Sequence, residues 1–312
     1  MDRRDFIKST GSSLIGLGIA LPNTVSAFAE NNLIKGVGIC DWTLGGASDP
    51  QIIKKAAAVN LECLQVSVGT APDNMALRDP SIRKAYKKMS KQFNVKVSSV
   101  AAGGILNKYP LATEPMSAVF VIDALEAARE LGADNILTAF FGNGDLRMKD
   151  EDGKNIIESE EPYTVYTLDE VKVARVIDAL KQIAPRAEAL GVYIGLENTI
   201  TAKQNMDIIN AVGSGMLKVY YDVGNSWGNG YDVPGEIQML GNEMICEVHI
   251  KDRGTSLFES GEGMVDMQAC ARALEKVSYD KWLVLETRGR KDHFEEDTLS
   301  NVKYVKDAFG LV

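Results

Sequence analysis

Cysteine is scarce in this chain: four residues in 312, Cys40, Cys63, Cys246 and Cys270, with no Cys-x-x-Cys pair. That is too few and too scattered for a disulfide framework, and it excludes a cysteine-rich structural zinc site. Three of the four fall in expected strands and Cys270 in an expected helix, where a free thiol packs as a small apolar residue. Cys40 and Cys63 sit on neighbouring strands, which leaves one oxidised pair open. Histidine is scarcer still, only His249 and His293. No Gly-x-Gly-x-x-Gly turn links a strand to a helix, so a dinucleotide-binding oxidoreductase is unsupported. Positive charge is in deficit as well, 34 Lys and Arg against 43 Asp and Glu, for a formal net charge of −9. An acidic surface argues against nucleic acid and anionic membranes as main partners.

Apolar runs are short. The longest candidate for a membrane segment, Leu14 to Leu21, falls well below the roughly 20 residues that span a bilayer, so no stable membrane insertion is expected once it is removed. It follows Asp2-Arg3-Arg4-Asp5-Phe6-Ile7-Lys8 and precedes Ala27-Phe28-Ala29. Charge, apolar run and small-residue cleavage site in that order read as a bacterial twin-arginine export signal, residues 1–29, removed after Ala29. Its loss takes the formal charge from −9 to −10, because Arg3, Arg4 and Lys8 leave with Asp2 and Asp5. Resemblance to such signals implies a protein that folds, and can take up a metal, before it is exported to the periplasm or beyond.

From residue 30 to 312 apolar runs alternate with helical periodicity, the pattern of a parallel sheet wrapped in helices. Strands are expected at Val37 to Cys40, Cys63 to Val68, Val95 to Val100 and Ile136 to Phe140. Four more end on a residue that can bind a metal: Tyr193 to Glu197, Val219 to Asp222, Cys246 to His249 and Leu283 to Glu286. Helices are expected at Pro50 to Val59, Ser81 to Phe93, Met116 to Leu131, Leu168 to Leu190, Gln204 to Val212, Val265 to Val277 and Glu295 to Phe309. Gly132, Gly191 and Gly213 stand where helices stop. The polar stretch from Gly142 to Thr167 is an insertion, read either as a cover over the carboxyl-end face or as a solvated excursion.

Eight strands and about as many helices in one domain are most simply closed into a (β/α)₈ barrel, which takes roughly 30 residues per unit. The four tips lie 25, 27 and 37 residues apart, one per unit. Parallel strands bring their carboxyl ends to one face, so Glu197, Asp222, His249 and Glu286 converge there. Three carboxylates in a confined site call for a compensating cation. Oxygen ligands with one imidazole suit Mn²⁺, Mg²⁺, Co²⁺ or Zn²⁺. His293, within Arg290-Lys291-Asp292-His293, reads as a loop residue.

The second half of the chain resembles the xylose isomerase-like TIM barrels, which include sugar-phosphate isomerases and epimerases, ketose 3-epimerases and inosose-processing enzymes. The resemblance rests on Gly195-Leu196-Glu197-Asn198, Tyr221-Asp222-Val223-Gly224-Asn225, Val248-His249-Ile250-Lys251-Asp252, Gly261-Glu262-Gly263-Met264-Val265-Asp266 and Leu285-Glu286; the first half matches in pattern only. It implies that Glu197, Asp222, His249 and Glu286 bind one divalent ion, and that Glu197 and Glu286 form an acid/base pair on opposite sides of it. The implied reaction is isomerisation or epimerisation of a keto-sugar or related polyol ketone through an enediolate. Two positions depart from the ketose epimerases. Asn225 stands where they often carry a substrate-binding His, and Arg253 lies near, but not at, the spacing of an Arg beyond the metal-binding His.

Further substrate contacts are expected from the residues themselves. Lys251 could neutralise an oxyanion or bind a hydroxyl, or else pair with Glu247 or another barrel acid. Trp42, Trp227 and Phe140 or Phe141 could wall a sugar ring or close the barrel mouth. Glu262 is read first as loop architecture. Proton abstraction beside a ketone can also expel a leaving group, which makes a 3-keto-glycoside lyase the alternative enzyme. A carbohydrate-binding barrel without turnover would not need a carboxylate on each side of the ion. The DNA-repair endonucleases of the superfamily hold zinc clusters with several histidines, and two histidines in an acidic chain rule that reading out. Relatives form dimers or tetramers, so the resemblance implies a homo-oligomer, although no patch in the sequence identifies an interface.

Overall fold

The computed structural model describes residues 33–160, 162–252, 257, 265–287, 290 and 292–311. The expected export signal, Arg253 and Glu262 lie outside the described residues. Eight parallel strands close into a barrel: β1 (Gly36–Cys40), β2 (Cys63–Ser67), β3 (Lys96–Ala101), β4 (Asn135–Ala139), β7 (Tyr193–Glu197), β8 (Leu217–Asp222), β9 (Ile245–Ile250) and β10 (Trp282–Leu285), with β10 pairing back onto β1. The strands are buried almost throughout, as expected when helices cover a parallel sheet. The main core lies between this sheet and the helices. Inside the barrel the apolar fill is small, Ala101, Leu137, Ala139, Tyr220 and Cys246 in one cluster and Cys40, Cys63 and Val284 in another.

All seven expected helices form, with local causes legible at their ends. Asp79 and Asp169 cap Pro80–Phe93 and Glu170–Leu190 through their carboxylates, and Thr201 with Gln204 forms a reciprocal capping box for Ala202–Val212. Gly132, Gly191 and Gly213 end three helices in the left-handed conformation. A helix at Val233–Met244, kinked at Gly241, was not legible in the sequence. It packs against Met267–Lys276.

The insertion has structure of its own. It folds into an antiparallel hairpin of β5 (Ile157–Ser159) and β6 (Val165–Tyr166) fastened to the barrel rim. Arg147 bonds Asp145 and Asn229 and stacks on Tyr166, while Asp145 also accepts from Thr199. Cys40 and Cys63 are free and buried, so the pair left open by the sequence is not oxidised.

Gly195 sits two residues before the tip of β7, where neighbouring strands approach closely. A Cβ there would meet Cys246 Sγ at 2.6 Å and the Ile136 carbonyl oxygen at 2.9 Å. Gly195→Ala is therefore expected to cost about 1–3 kcal/mol by overpacking. Urea denaturation checks this; a loss below about 0.5 kcal/mol, the range of surface substitutions, would show that the strands yield freely.

Candidate metal centre and active site

Strand register brings the four tips together. Asp222 and His249 are directly paired across β8 and β9, Glu197 ends β7, and Glu286 follows β10. Each offers one ligand atom, and these atoms lie within 4.8 Å of one another. His249 Nδ1 is 3.3 Å from Glu197 Oε1 and 3.6 Å from both Asp222 Oδ2 and Glu286 Oε2. Ligand atoms this close could converge on one ion after small side-chain adjustments. Asp222 Oδ2 is buried and is partnered by an ion pair alone. The cluster could hold a metal, and its donors fit a hard-to-borderline divalent ion.

One cation is already present. Lys251 Nζ lies 2.8 Å from Asp222 Oδ2 and 2.5 Å from Glu286 Oε2. Of the two readings of Lys251, the ion pair with barrel acids is the one seen here; the partner is not Glu247, whose carboxylate accepts from Asn135 deeper in the barrel. Burial disfavours the ammonium, but Asp222, Glu286 and Glu197 outweigh it and hold Lys251 charged. Burial likewise opposes ionisation of Asp222, yet Lys251 and His249 pull its carboxyl below the usual range. For Glu197 burial wins: the carboxyl is pushed up to about 7, with Glu286 and Asp222 adding to the effect of desolvation and His249 offsetting part of it.

Two cavities meet at the cluster. The larger, about 870 Å³, is lined by Trp42, Trp227, Asn229, Thr287 and Phe294 among others, and the smaller, about 420 Å³, by Ser67, Gly103, Asn107, Leu137 and Phe141 among others. Trp42, Asn225, Lys251 and Glu286 line both. Trp42 and Trp227 both lie on the cavity wall. Of the two phenylalanines Phe141 is the wall residue, because Phe140 points into the core. Asn225 is drawn into the cluster itself: its backbone N–H donates to Asp222 Oδ1 at 2.7 Å and its amide Nδ2 lies 3.3 Å from Glu197 Oε1. His293 is exposed beside Glu296, away from the tips.

Sequence reasoning missed three buried polar residues around the site. Asp41, just past β1, accepts from Ser48 N, Ser67 N and Ser67 Oγ and ties the first two strand ends together. Gln65 lies 3.0 Å from His249 Nε2, and Tyr220 packs edge-on to the same ring at 4.5 Å. A lone amide in the run Cys63-Leu64-Gln65-Val66 was the available signal.

A closed parallel barrel with three carboxylates and one imidazole clustered at its carboxyl-end mouth defines a class of (β/α)₈ proteins. Within that class the chain belongs to the xylose isomerase-like TIM barrel family, which it matches over residues 53–308. No curated protein matches it in sequence. Among solved structures it is similar to D-psicose 3-epimerase from Clostridium cellulolyticum H10, at 15% identity and a TM-score of 0.68, covering 88% of this chain and 99% of that one. It is also similar to 3-keto-D-glucoside 4-epimerase from E. coli, at 14% identity and a TM-score of 0.68, covering 86% and 98%. L-ribulose 3-epimerase is a third, at 17% identity and a TM-score of 0.63, covering 88% and 93%. At such identities the likeness is one of fold.

Proposed function

We propose that the protein is a divalent-metal-dependent carbohydrate isomerase or epimerase acting on a keto-sugar or related polyol ketone by proton abstraction. The observation that carries this reading is the convergence of Glu197, Asp222, His249 and Glu286 at the junction of two cavities. The sugar epimerases among its structural neighbours support it. These four residues would hold one Mn²⁺, Mg²⁺, Co²⁺ or Zn²⁺, and such an ion would supply stabilisation of negative charge on substrate oxygens.

Glu197, with Asn225 fixing one of its oxygens, removes the proton beside the ketone, and Glu286 returns one from the other side of the sugar. Return to the opposite face of the same carbon gives the epimer; return to the neighbouring carbon gives the isomer. Lys251, Arg253 and Asn225 bind substrate oxygens, and Trp42 and Trp227 wall the ring.

A second reading is favoured by the paired cavities. A 3-keto-glycoside could place its sugar in one and its aglycone in the other, and loss of the same proton would then expel the aglycone by β-elimination. The twin-arginine sequence supports export, where free sugars and glycosides are commoner than sugar phosphates.

Elemental analysis of the chain starting at Glu30, beside His249→Ala, tests the site. About one divalent ion per chain, lost in the variant, together with deuterium exchange into keto-sugars in D₂O is the expected result. Aglycone release from keto-glycosides would shift the assignment to the lyase. Failure to bind any ion, even with excess metal, would overturn both.

A further inference from the structure

The far side of the His249 ring is as closely built as the side that faces the cluster. His249 Nε2 lies 3.0 Å from Gln65 Oε1. Gln65 in turn donates through its amide nitrogen to Ser99 Oγ at 2.9 Å and to Tyr220 OH at 2.7 Å. Cys40 Sγ lies 3.3 Å from the same Gln65 oxygen and donates to it. Gln65, Ser99, Cys40 and His249 are sealed from solvent, and Tyr220 nearly so, which puts them beyond the reach of a substrate.

Cys40 Sγ also lies 3.5 Å from Nε2, but the Gln65 oxygen, at 3.0 Å, is the nearer and stronger partner of that nitrogen. With the carbonyl oxygen of Gln65 toward the ring, the proton belongs on Nε2 and the lone pair on Nδ1, the atom that faces Glu197, Asp222 and Glu286. Turned over, the amide would present N–H to Nε2, drive the ring proton onto Nδ1 and deprive the cluster of its only nitrogen ligand. In this sense Ser99 and Tyr220 receive the amide N–H groups and the Cys40 thiol donates to the oxygen.

We propose that Gln65 is a positioning residue that fixes the His249 ring with Nδ1 free for the metal. The proposal rests on the metal-dependent reading above. An outer partner of a metal-binding histidine typically contributes 10–100-fold to metal affinity. A role in filling space predicts a different pattern, because Met matches Gln in size and costs nothing in desolvation.

The test is Zn²⁺ and Mn²⁺ affinity, by competition with a chelator, for the full chain and for Gln65→Met and Gln65→Glu. Gln65→Met is expected to bind about 10–100-fold more weakly, and its metal-free form to melt lower than the parent because Ser99 and Tyr220 lose a buried partner. Gln65→Glu, whose carboxylate only accepts, is expected to recover most of the affinity although its metal-free form is less stable. Wild-type affinity in Gln65→Met, or weaker binding in Gln65→Glu than in Gln65→Met, would overturn the positioning role and leave the metal site standing. No binding by the parent chain would overturn both. If Gln65→Met does not fold, ¹⁵N spectra of the histidines in the Zn²⁺-loaded parent still decide. There are only two to assign. A proton on Nε2 of His249 is expected, and one on Nδ1 with Nε2 coordinated overturns the proposal.

Discussion

Glu197→Gln and Glu286→Gln are each expected to lower turnover by about 10²–10⁴-fold, the usual contribution of a general acid or base, while the barrel remains folded. Gln preserves the shape of either side chain, so the strands are not disturbed. What is lost is the ability to take or give a proton. The two carboxylates flank His249 Nδ1 at 3.3 and 3.6 Å, and both belong to the same ligand cluster. Metal content must therefore be measured beside deuterium exchange. A variant that keeps its ion and loses exchange has lost a base; one that loses both has lost a ligand. If either variant retained turnover within tenfold of the parent, that residue would have no part in proton transfer.

Lys251→Met is expected to lower the stability of the metal-free protein by about 3 kcal/mol. Removing one partner of a buried ion pair costs about 3–5 kcal/mol, and the lower end applies because Lys251 and Glu286 side chains are 23% and 24% exposed. Asp222 carries most of the effect, since its side chain is only 2% exposed and would lose the cation nearest its Oδ2. A divalent ion at the cluster should restore the loss, because it compensates the same carboxylates. By the same argument the variant should bind the ion more tightly than the parent, with no ammonium to displace from those oxygens. Urea denaturation with and without Mn²⁺ checks both points. Unchanged stability without metal would mean that the pair contributes nothing and that Lys251 is there for the substrate alone.

The barrel and the four cluster residues were legible in the sequence because both rest on short-range pattern. The four site strands are short apolar runs closed by a polar tip, most helices are amphipathic runs with a cap or a stopping glycine, and the four tips recur once per unit. Parallel closure then carries Glu197, Asp222, His249 and Glu286 to one face wherever the intervening loops go. Pattern could also mark Asn225 and the two tryptophans as mouth residues, since they follow strand ends directly.

What only the tertiary structure decided is pairing between residues far apart in the chain. Lys251 chooses Asp222 and Glu286 over Glu247 because of where the strands place their carboxylates, a matter of angstroms that no spacing encodes. The insertion is a hairpin held at the rim because Arg147 finds Asn229, 82 residues away. Gln65 meets His249 across 184 residues, inside a barrel whose closure sets the distance between them. The residue types and their periodicity determined the scaffold and the ligands on its rim. The contacts that orient those ligands depend on closure of the sheet, because only closure brings opposite strands within hydrogen-bonding range.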